Sequence, residues 1–247
     1  MRRRLDLELV FRGLATSREQ AVVEIGAGRV LVGGSPATKA SRLVSPAEPV
    51  ILAGLRNRFV SRGGDKLESA LDGFGLEVKA RRAIDVGSST GGFTDCLLTR
   101  GAASVVALDV GRGQLDFGLR RDPRVAVFER TNVRTVSLTA VGGPFDLVVA
   151  DLSFISLRTV VGALVALAAS GADLVILVKP QFEVGRAQAG RTKGVIRDPA
   201  LWLSALSDVR IAFGEAGAMM RALTPSPLKG AAGNVEFLMH LVAVRAA

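Results

Sequence analysis

The chain holds a single cysteine, Cys96, and a single histidine, His240, among its 247 residues. One thiol excludes a disulfide framework and a multi-thiolate metal site, and it fits a reducing compartment. One imidazole excludes a histidine-cluster metal site and any triad that needs a second histidine. No metal is expected. Long apolar runs are also missing: the longest stretch of apolar and small residues, 160–172, falls short of the roughly 20 needed to cross a bilayer. The basic start Met1-Arg2-Arg3-Arg4 runs into Leu5-Asp6 without the apolar segment of a secretory signal. A cytoplasmic protein with no membrane contact is the expectation. Hydrophobic residues make up 49%, enough for a substantial core, which excludes bulk disorder.

Charge is unevenly spread. Residues 1–66 carry 12 Lys/Arg against 6 Asp/Glu, while the remaining 181 carry 20 against 17. Most of the net +9 therefore sits in the first quarter of the chain. A basic module joined to a near-neutral one suggests a polyanionic partner. The plainer alternative is arginine used for solubility.

Residues 5–30 carry apolar positions at three- and four-residue steps, with a cap signal at Thr16-Ser17-Arg18-Glu19 and stops at Gly26 and Gly28. Short β patterns follow at 29–32 and 49–52. Two helices and a small sheet are expected, then a basic linker over 53–62. From residue 81, strand-length apolar runs at 83–86, 105–109, 125–128, 147–150 and 174–178 alternate with helical stretches near 92–100, 114–120, 155–169 and 200–216. That alternation predicts a parallel sheet covered on both faces. The tail, 219–224 and 235–244, reads as two antiparallel strands added at one edge.

The first strand of this region opens into Asp85-Val86-Gly87-Ser88-Ser89-Thr90-Gly91-Gly92-Phe93-Thr94. A glycine-rich turn between strand and helix lets a ligand approach the backbone. Its spacing is neither the dinucleotide fingerprint nor a phosphate loop. Asp109, at the end of the next strand, is placed to accept ribose hydroxyls. Together they favour a nucleoside-bearing cofactor without pyrophosphate, and S-adenosylmethionine fits; a tight turn with a capping acid is the plainer alternative. Asp151 and Lys179 follow long apolar runs, hence lie at the carboxyl edge of the sheet. Either they serve a ligand or they form a buried ion pair. Lys66 opens a helix in Ser61-Arg62-Gly63-Gly64-Asp65-Lys66-Leu67, and Glu236 stands among apolar residues of the last strand, where an acid needs a partner. One buried cluster of Lys66, Asp151, Lys179 and Glu236 is expected. Phe59 is expected to pack between the domains, with base stacking as the alternative. Cys96 reads as inert and His240 as non-catalytic.

Residues 61–67, 87–94, Asp109–Leu115, Glu129-Arg130-Thr131-Asn132, 150–156, 178–185 and Gly233–Phe237, taken together, resemble the bacterial TlyA family, also labelled haemolysins. The front of the chain resembles the small RNA-binding domain named after ribosomal protein S4, and the rest resembles the FtsJ group of ribose methyltransferases. The resemblance implies an α/β fold: a Rossmann-like class I methyltransferase with a mostly parallel seven-stranded sheet, and a small α+β RNA-binding domain before it. Implied boundaries are 1–52 for the RNA-binding domain, 53–62 for the linker and 63–247 for the methyltransferase domain.

The implied activity is 2′-O-methylation of cytidine ribose in ribosomal RNA from S-adenosylmethionine. The family's Lys-Asp-Lys-Glu tetrad falls on Lys66, Asp151, Lys179 and Glu236. Cofactor positions fall on Asp85, Gly87, Ser88, Ser89, Thr90, Gly91, Gly92, Phe93, Asp109, Asn132 and Asp151. RNA-facing positions fall on Arg4, Arg18, Lys39, Arg130, Arg134 and Arg186. Short termini make 23S RNA of the large subunit the first expected target and 16S RNA the second. Lys179 is the expected acceptor of the hydroxyl proton, disfavoured in its charged form by Lys66, with Glu236 holding Lys66 and Asp151 orienting Lys179. A monomer acting on ribosomal subunits is expected. The alternative is an RNA-binding assembly factor with little or no transferase activity; a membrane-acting cytolysin finds no support in the sequence.

Overall fold

The computed structural model describes residues 2–15, 17–52, 58–185, 194–230 and 232–244. The chain divides into two compact units, Met1–Arg56 and Asn57–Ala247.

In the first unit, β1 (Arg3–Arg4) runs straight into α1 (Leu5–Phe11), and α2 (Arg18–Gly26) follows. Strand β2 (Val30–Val32) lies between β3 (Ser35–Pro36) and β5 (Val50–Leu52), both antiparallel to it, and β4 (Leu43–Val44) pairs with β1. Leu5 and Leu9 of α1 and Ala21 and Ile25 of α2 stand one turn apart and pack with Val30, Val32 and Val44 in a small core. Ser17 caps α2, its hydroxyl accepting from Gln20 N at 3.2 Å. The cap thus falls one residue beyond the Thr16 that the spacing to Glu19 suggested.

The second unit is a three-layer α/β structure. Its helices and strands run α3 (Arg62–Phe74), β6 (Arg82–Val86), α4 (Gly92–Thr99), β7 (Ser104–Leu108), α5 (Phe117–Arg121), β8 (Val125–Phe128) and β9 (Phe145–Ala150). A 3₁₀ turn at Leu157–Thr159 leads to α6 (Val161–Leu167), β10 (Ala168–Val178), α7 (Pro180–Glu183), α8 (Pro199–Glu215), β11 (Ala218–Pro225) and β12 (Phe237–Ala243). The seven strands lie in the order β11-β12-β10-β9-β6-β7-β8. Strands β10, β9, β6, β7 and β8 are parallel, and β12 runs antiparallel to both β10 and β11. Successive strand residues face opposite layers. Val105, Ala107, Leu147 and Val149 join a core under α3, α4 and α5, while Val106, Leu108, Val148 and Ala150 join one under α6 and α8. No helix among the described residues is long and apolar enough to cross a membrane.

Phe59 corrects the expectation of an interdomain aromatic. It is 2% exposed and belongs to the core of the second unit with Leu67 and Leu71 of α3. Val60 N also donates to Asp95 Oδ2 at 2.8 Å, so residues 58–61 are already tied to this unit, whereas 53–57 lie outside the described residues. The ring of Phe59 fills the space beside Gly64, where a Cβ would overlap it. Gly64→Ala is therefore expected to lower stability by about 1–3 kcal/mol, the usual cost of overpacking, read as a lower urea midpoint. Gly73→Ala on the same helix, where an added methyl meets nothing within 4 Å, is expected to leave the midpoint unchanged or raise it.

Candidate active site

Chain order sets where a ligand can bind. From β6 the chain steps outward through β7 and β8, then returns to place β9 on the other side of β6. Loops leaving β6 and β9 therefore diverge at the carboxyl edge of the sheet, the point where open α/β sheets bind ligands. Register does the rest. The last rung between β6 and β9 is Val86 with Ala150, and that between β10 and β12 is Val178 with Phe237. The residues just past these rungs are Gly87, Asp151, Lys179 and Glu236, so four separate sequence segments arrive at one edge. Glu236 immediately precedes β12 rather than standing within it, a one-residue correction to the expectation.

Two lysine–carboxylate pairs form there. Lys179 Nζ lies 2.5 Å from Asp151 Oδ1 and donates to Ser153 Oγ at 2.7 Å. Lys66 Nζ donates to Glu236 Oε2 at 2.5 Å. Both lysines are 8% exposed and Glu236 is 3% exposed. A Cβ at Gly230 would overlap the Glu236 carboxylate, so the turn before β12 is shaped around that acid. Lys66, Asp151 and Lys179 line one cavity of about 290 Å³, together with Ser88, Thr90, Gly92 and Phe93.

A second cavity of about 440 Å³ adjoins it, with Gly87, Ser89, Asp151 and Ser153 common to both walls. Asp109, Gln114 and Asn132 supply its polar groups, and Val133, Leu152, Ile155 and Val160 its apolar ones. Gly87 has φ +85°, and a Cβ there would come 2.6 Å from the Asp151 carbonyl. The loop after β6 is thus pressed against the loop after β9 with no room for a side chain. Asp109 locks the glycine-rich loop from the other side: Oδ2 accepts from Ser89 N at 2.8 Å and Oδ1 from Gly111 N at 2.6 Å. Each oxygen retains a second lone pair for a hydroxyl donor.

Asp85 and Glu183 have structural roles that the sequence did not reveal. Asp85, expected among the cofactor residues, is fully buried and lines neither cavity. Its Oδ2 accepts from Thr94 N at 2.9 Å and Thr94 Oγ1 at 2.7 Å, which anchors the first turn of α4 beneath the loop. Burial pushes its carboxyl up to about 7, opposed by the Thr94 hydrogen bonds and reinforced by the negative charge of Asp151. Glu183, 4% exposed, accepts from Ser156 Oγ at 2.6 Å and Leu157 N at 2.8 Å. It ties the segment after β10, which carries Lys179, to the loop that carries Asp151 and Ser153. Burial raises its carboxyl above the ordinary value as well. An acid three residues into a short helix carries no sequence signal for that tie.

The RNA-facing positions are placed variously. Arg130 and Arg134 are exposed and flank Thr131, Asn132 and Val133 of the second cavity. Arg4, Arg18 and Lys39 belong to the first unit, and Arg186 lies outside the described residues. Cys96 is buried with its thiol pushed up to about 12 by burial, hence unreactive at neutral pH. His240 pairs with Asp173 at 2.7 Å, stacks on Phe74 and lines neither cavity.

Comparison with known proteins agrees with this architecture. The model of FtsJ-like methyltransferases matches residues 59–243, and that of the S4 domain matches residues 3–50. The 16S/23S rRNA (cytidine-2′-O)-methyltransferase TlyA of Mycobacterium tuberculosis is 52% identical over 241 residues, 97% of this chain and 90% of the relative. The chain belongs to the TlyA family of FtsJ-like methyltransferases. Another TlyA, the 23S rRNA (cytidine-2′-O)-methyltransferase of Campylobacter jejuni, is 36% identical over 184 residues, 74% of this chain and 71% of its own length. Among solved structures, a putative hemolysin from Streptococcus thermophilus matches with TM-score 0.79 and 38% identity, over 99% of this chain and 90% of that one. More distant methyltransferases of the same fold include S-adenosylmethionine-dependent enzymes, a likeness that shows the fold alone.

The Asp85 carboxyl yields a pH test. Its folded value near 7 lies above the unfolded value of about 4. The stability it contributes is therefore full below about pH 4 and is lost as pH rises through 7. Asp85→Asn keeps an acceptor for Thr94 and cannot ionise. Its melting temperature relative to wild type is expected to rise between pH 5 and pH 8, and a difference independent of pH would contradict the assignment.

Proposed function

We propose that the chain transfers a methyl group from S-adenosylmethionine to the 2′-hydroxyl of a cytidine ribose in ribosomal RNA, with 23S RNA of the large subunit as the first target and 16S RNA as the second. One observation carries the reading: Lys66, Asp151 and Lys179 line one cavity that shares a wall with a second, nucleoside-sized one, and each lysine is paired with a carboxylate, Lys66 with Glu236 and Lys179 with Asp151. The donor set suits S-adenosylmethionine. Gly87 and Ser89 line both cavities, Asp109 offers acceptors for ribose hydroxyls, and the apolar wall around Val133 and Ile155 suits an adenine. When bound, that cofactor supplies a methyl group already activated on a sulfonium.

The remaining work is positioning and proton removal. Lys179 Nζ, as the neutral amine, would accept the hydroxyl proton while the hydroxyl oxygen takes up the donated methyl group. Asp151 and Ser153 fix that nitrogen from one side. Glu236 fixes Lys66, which faces the same cavity and orients the ribose. Alignment of reacting groups contributes up to about 7–11 kcal/mol of barrier reduction, and a positioned proton acceptor a further ~10²–10⁴-fold. In this reading the first unit, with Arg4, Arg18 and Lys39, binds RNA phosphates, Arg130 and Arg134 add contacts beside the second cavity, and Arg186 is a further RNA contact. Binding then weakens steeply with salt, and a target nucleotide within a helix must be unstacked to reach the cavity. The setting is the cytoplasm, with a monomer acting on ribosomal subunits.

Variants at Lys179 test the assignment. Lys179→Ala is expected to lower methyl transfer at least about 100-fold while S-adenosylmethionine binding persists. Lys179→Arg supplies a permanent cation that cannot accept a proton, so it is expected to be as inactive as the alanine variant. Turnover near wild type in Lys179→Ala would sink the tetrad reading, and turnover in the arginine variant alone would leave Lys179 as an electrostatic group. Removing one partner of a buried pair costs about 3–5 kcal/mol, so each assay is run well below that variant's melting temperature.

A further inference from the structure

The first unit buries two carboxylates under its arginines, and they differ in what they leave free. Glu8 holds Arg3 at 2.9 Å and Arg12 at 2.8 Å. Arg12 then spends its remaining nitrogens on the carbonyls of Ser45, Pro46 and Glu48, so it is a structural clamp. Asp6 is fully buried and accepts from Arg4 Nε at 3.1 Å, Arg4 Nη2 at 3.0 Å, Arg18 Nε at 2.9 Å and Leu7 N at 3.0 Å. Among the described residues no further hydrogen bond engages Arg4 Nη1 or either terminal nitrogen of Arg18. The two side chains are 42% and 56% exposed.

The backbone adds a third cation. Asp6 N donates to Ala40 O at 3.1 Å, Leu5 N to Arg42 O at 2.8 Å, and Arg42 N to Lys39 O at 3.1 Å. The turn bearing the exposed Lys39 is thereby stitched to the residue that holds both arginines. The carboxylate of Asp6 is kept ionised, well below its usual range at about 2, by the hydrogen bond from Arg4, against burial and with help from Arg18.

We infer that Asp6 is the positioning residue of an RNA-phosphate site, its buried carboxylate presetting the Arg4 and Arg18 forks beside the Lys39 turn. This rests on the RNA reading proposed above and deepens it. A guanidinium whose Nε edge is already fixed presents its remaining N–H pairs in one direction and loses little rotamer freedom on meeting a phosphate.

The sign of one substitution separates positioning from bulk charge. Asp6→Asn removes a negative charge from a basic module, so charge alone calls for tighter RNA binding. The inference calls for weaker binding, by about fivefold or more, and a salt slope (log K against log salt) shallower by about one contact. The full-length chain is titrated with an unmodified ribosomal RNA fragment at several salt concentrations. Because a buried Asn can disturb the unit, Arg18→Lys is measured beside it. That change keeps the charge at an exposed position and loses the fixed fork, and it is expected to weaken binding at least threefold with an unaltered melting temperature. Arg29→Gln, which removes a cation paired elsewhere in the unit with Glu24, is expected to cost less than Arg18→Lys although it deletes a full charge. Equal or tighter binding by Asp6→Asn, or wild-type binding by Arg18→Lys, overturns the inference and leaves the methyltransferase reading standing. A wild-type chain without salt-dependent RNA binding overturns both.

Discussion

Two lysine side chains, each 8% exposed, face one cavity at the carboxyl edge of the sheet. A charge so far from water persists only with an opposite charge in contact, and each lysine has its own carboxylate at 2.5 Å. Meeting that requirement dictates much of the architecture. Lys66 and Glu236 are 170 residues apart, one on the helix before the first strand of the sheet and the other just before the last strand. They meet only because β12 inserts antiparallel between β10 and β11. Without that insertion Lys66 would lose its partner, and the rung that sets Glu236 alongside Lys179 would not exist.

Around the pairs, rigidity comes from side chains that hold backbone in place. Asp109 clamps the glycine-rich loop, Thr94 hangs on the buried Asp85, and Glu183 joins the Asp151 loop to the Lys179 segment. A methyl transfer along one oxygen–carbon–sulfur line tolerates little misplacement. These acids therefore serve alignment by fixing backbone. The first unit uses the same device for a different end: Asp6 holds arginines whose outer edges meet no further hydrogen-bond partner among the described residues.

The parallel strands were legible because they are continuous apolar runs separated by helices, and the structure moves the ends of all but β10 by only a residue or two. Strand β10 was read from Leu174, yet it starts at Ala168. Its leading Ala-Ala-Ser-Gly has no β-branched residue, and a register irregularity separates Ala168 from Asp173, so no apolar alternation marks that end. The carboxylates and lysines of the site were legible as charges at the ends of apolar runs. Their pairing was not, because register lies in the sheet and not in any one segment. Depth was hidden too. Asp85 looks from the sequence like a ligand of the loop it introduces, whereas its parity on β6 turns it into the core under α4. Phe59, a lone aromatic in a basic stretch, has no period to say which core it joins.

The measurement that bears most directly on the account is transfer of labelled methyl from S-adenosylmethionine to unmodified large and small ribosomal subunits, offered separately, with the modified position mapped. The account predicts label on the 2′-oxygen of a cytidine in the large-subunit RNA. Label on a base, or no label on either subunit from a chain that demonstrably binds the cofactor, would contradict it, the latter pointing to a binding role in subunit assembly.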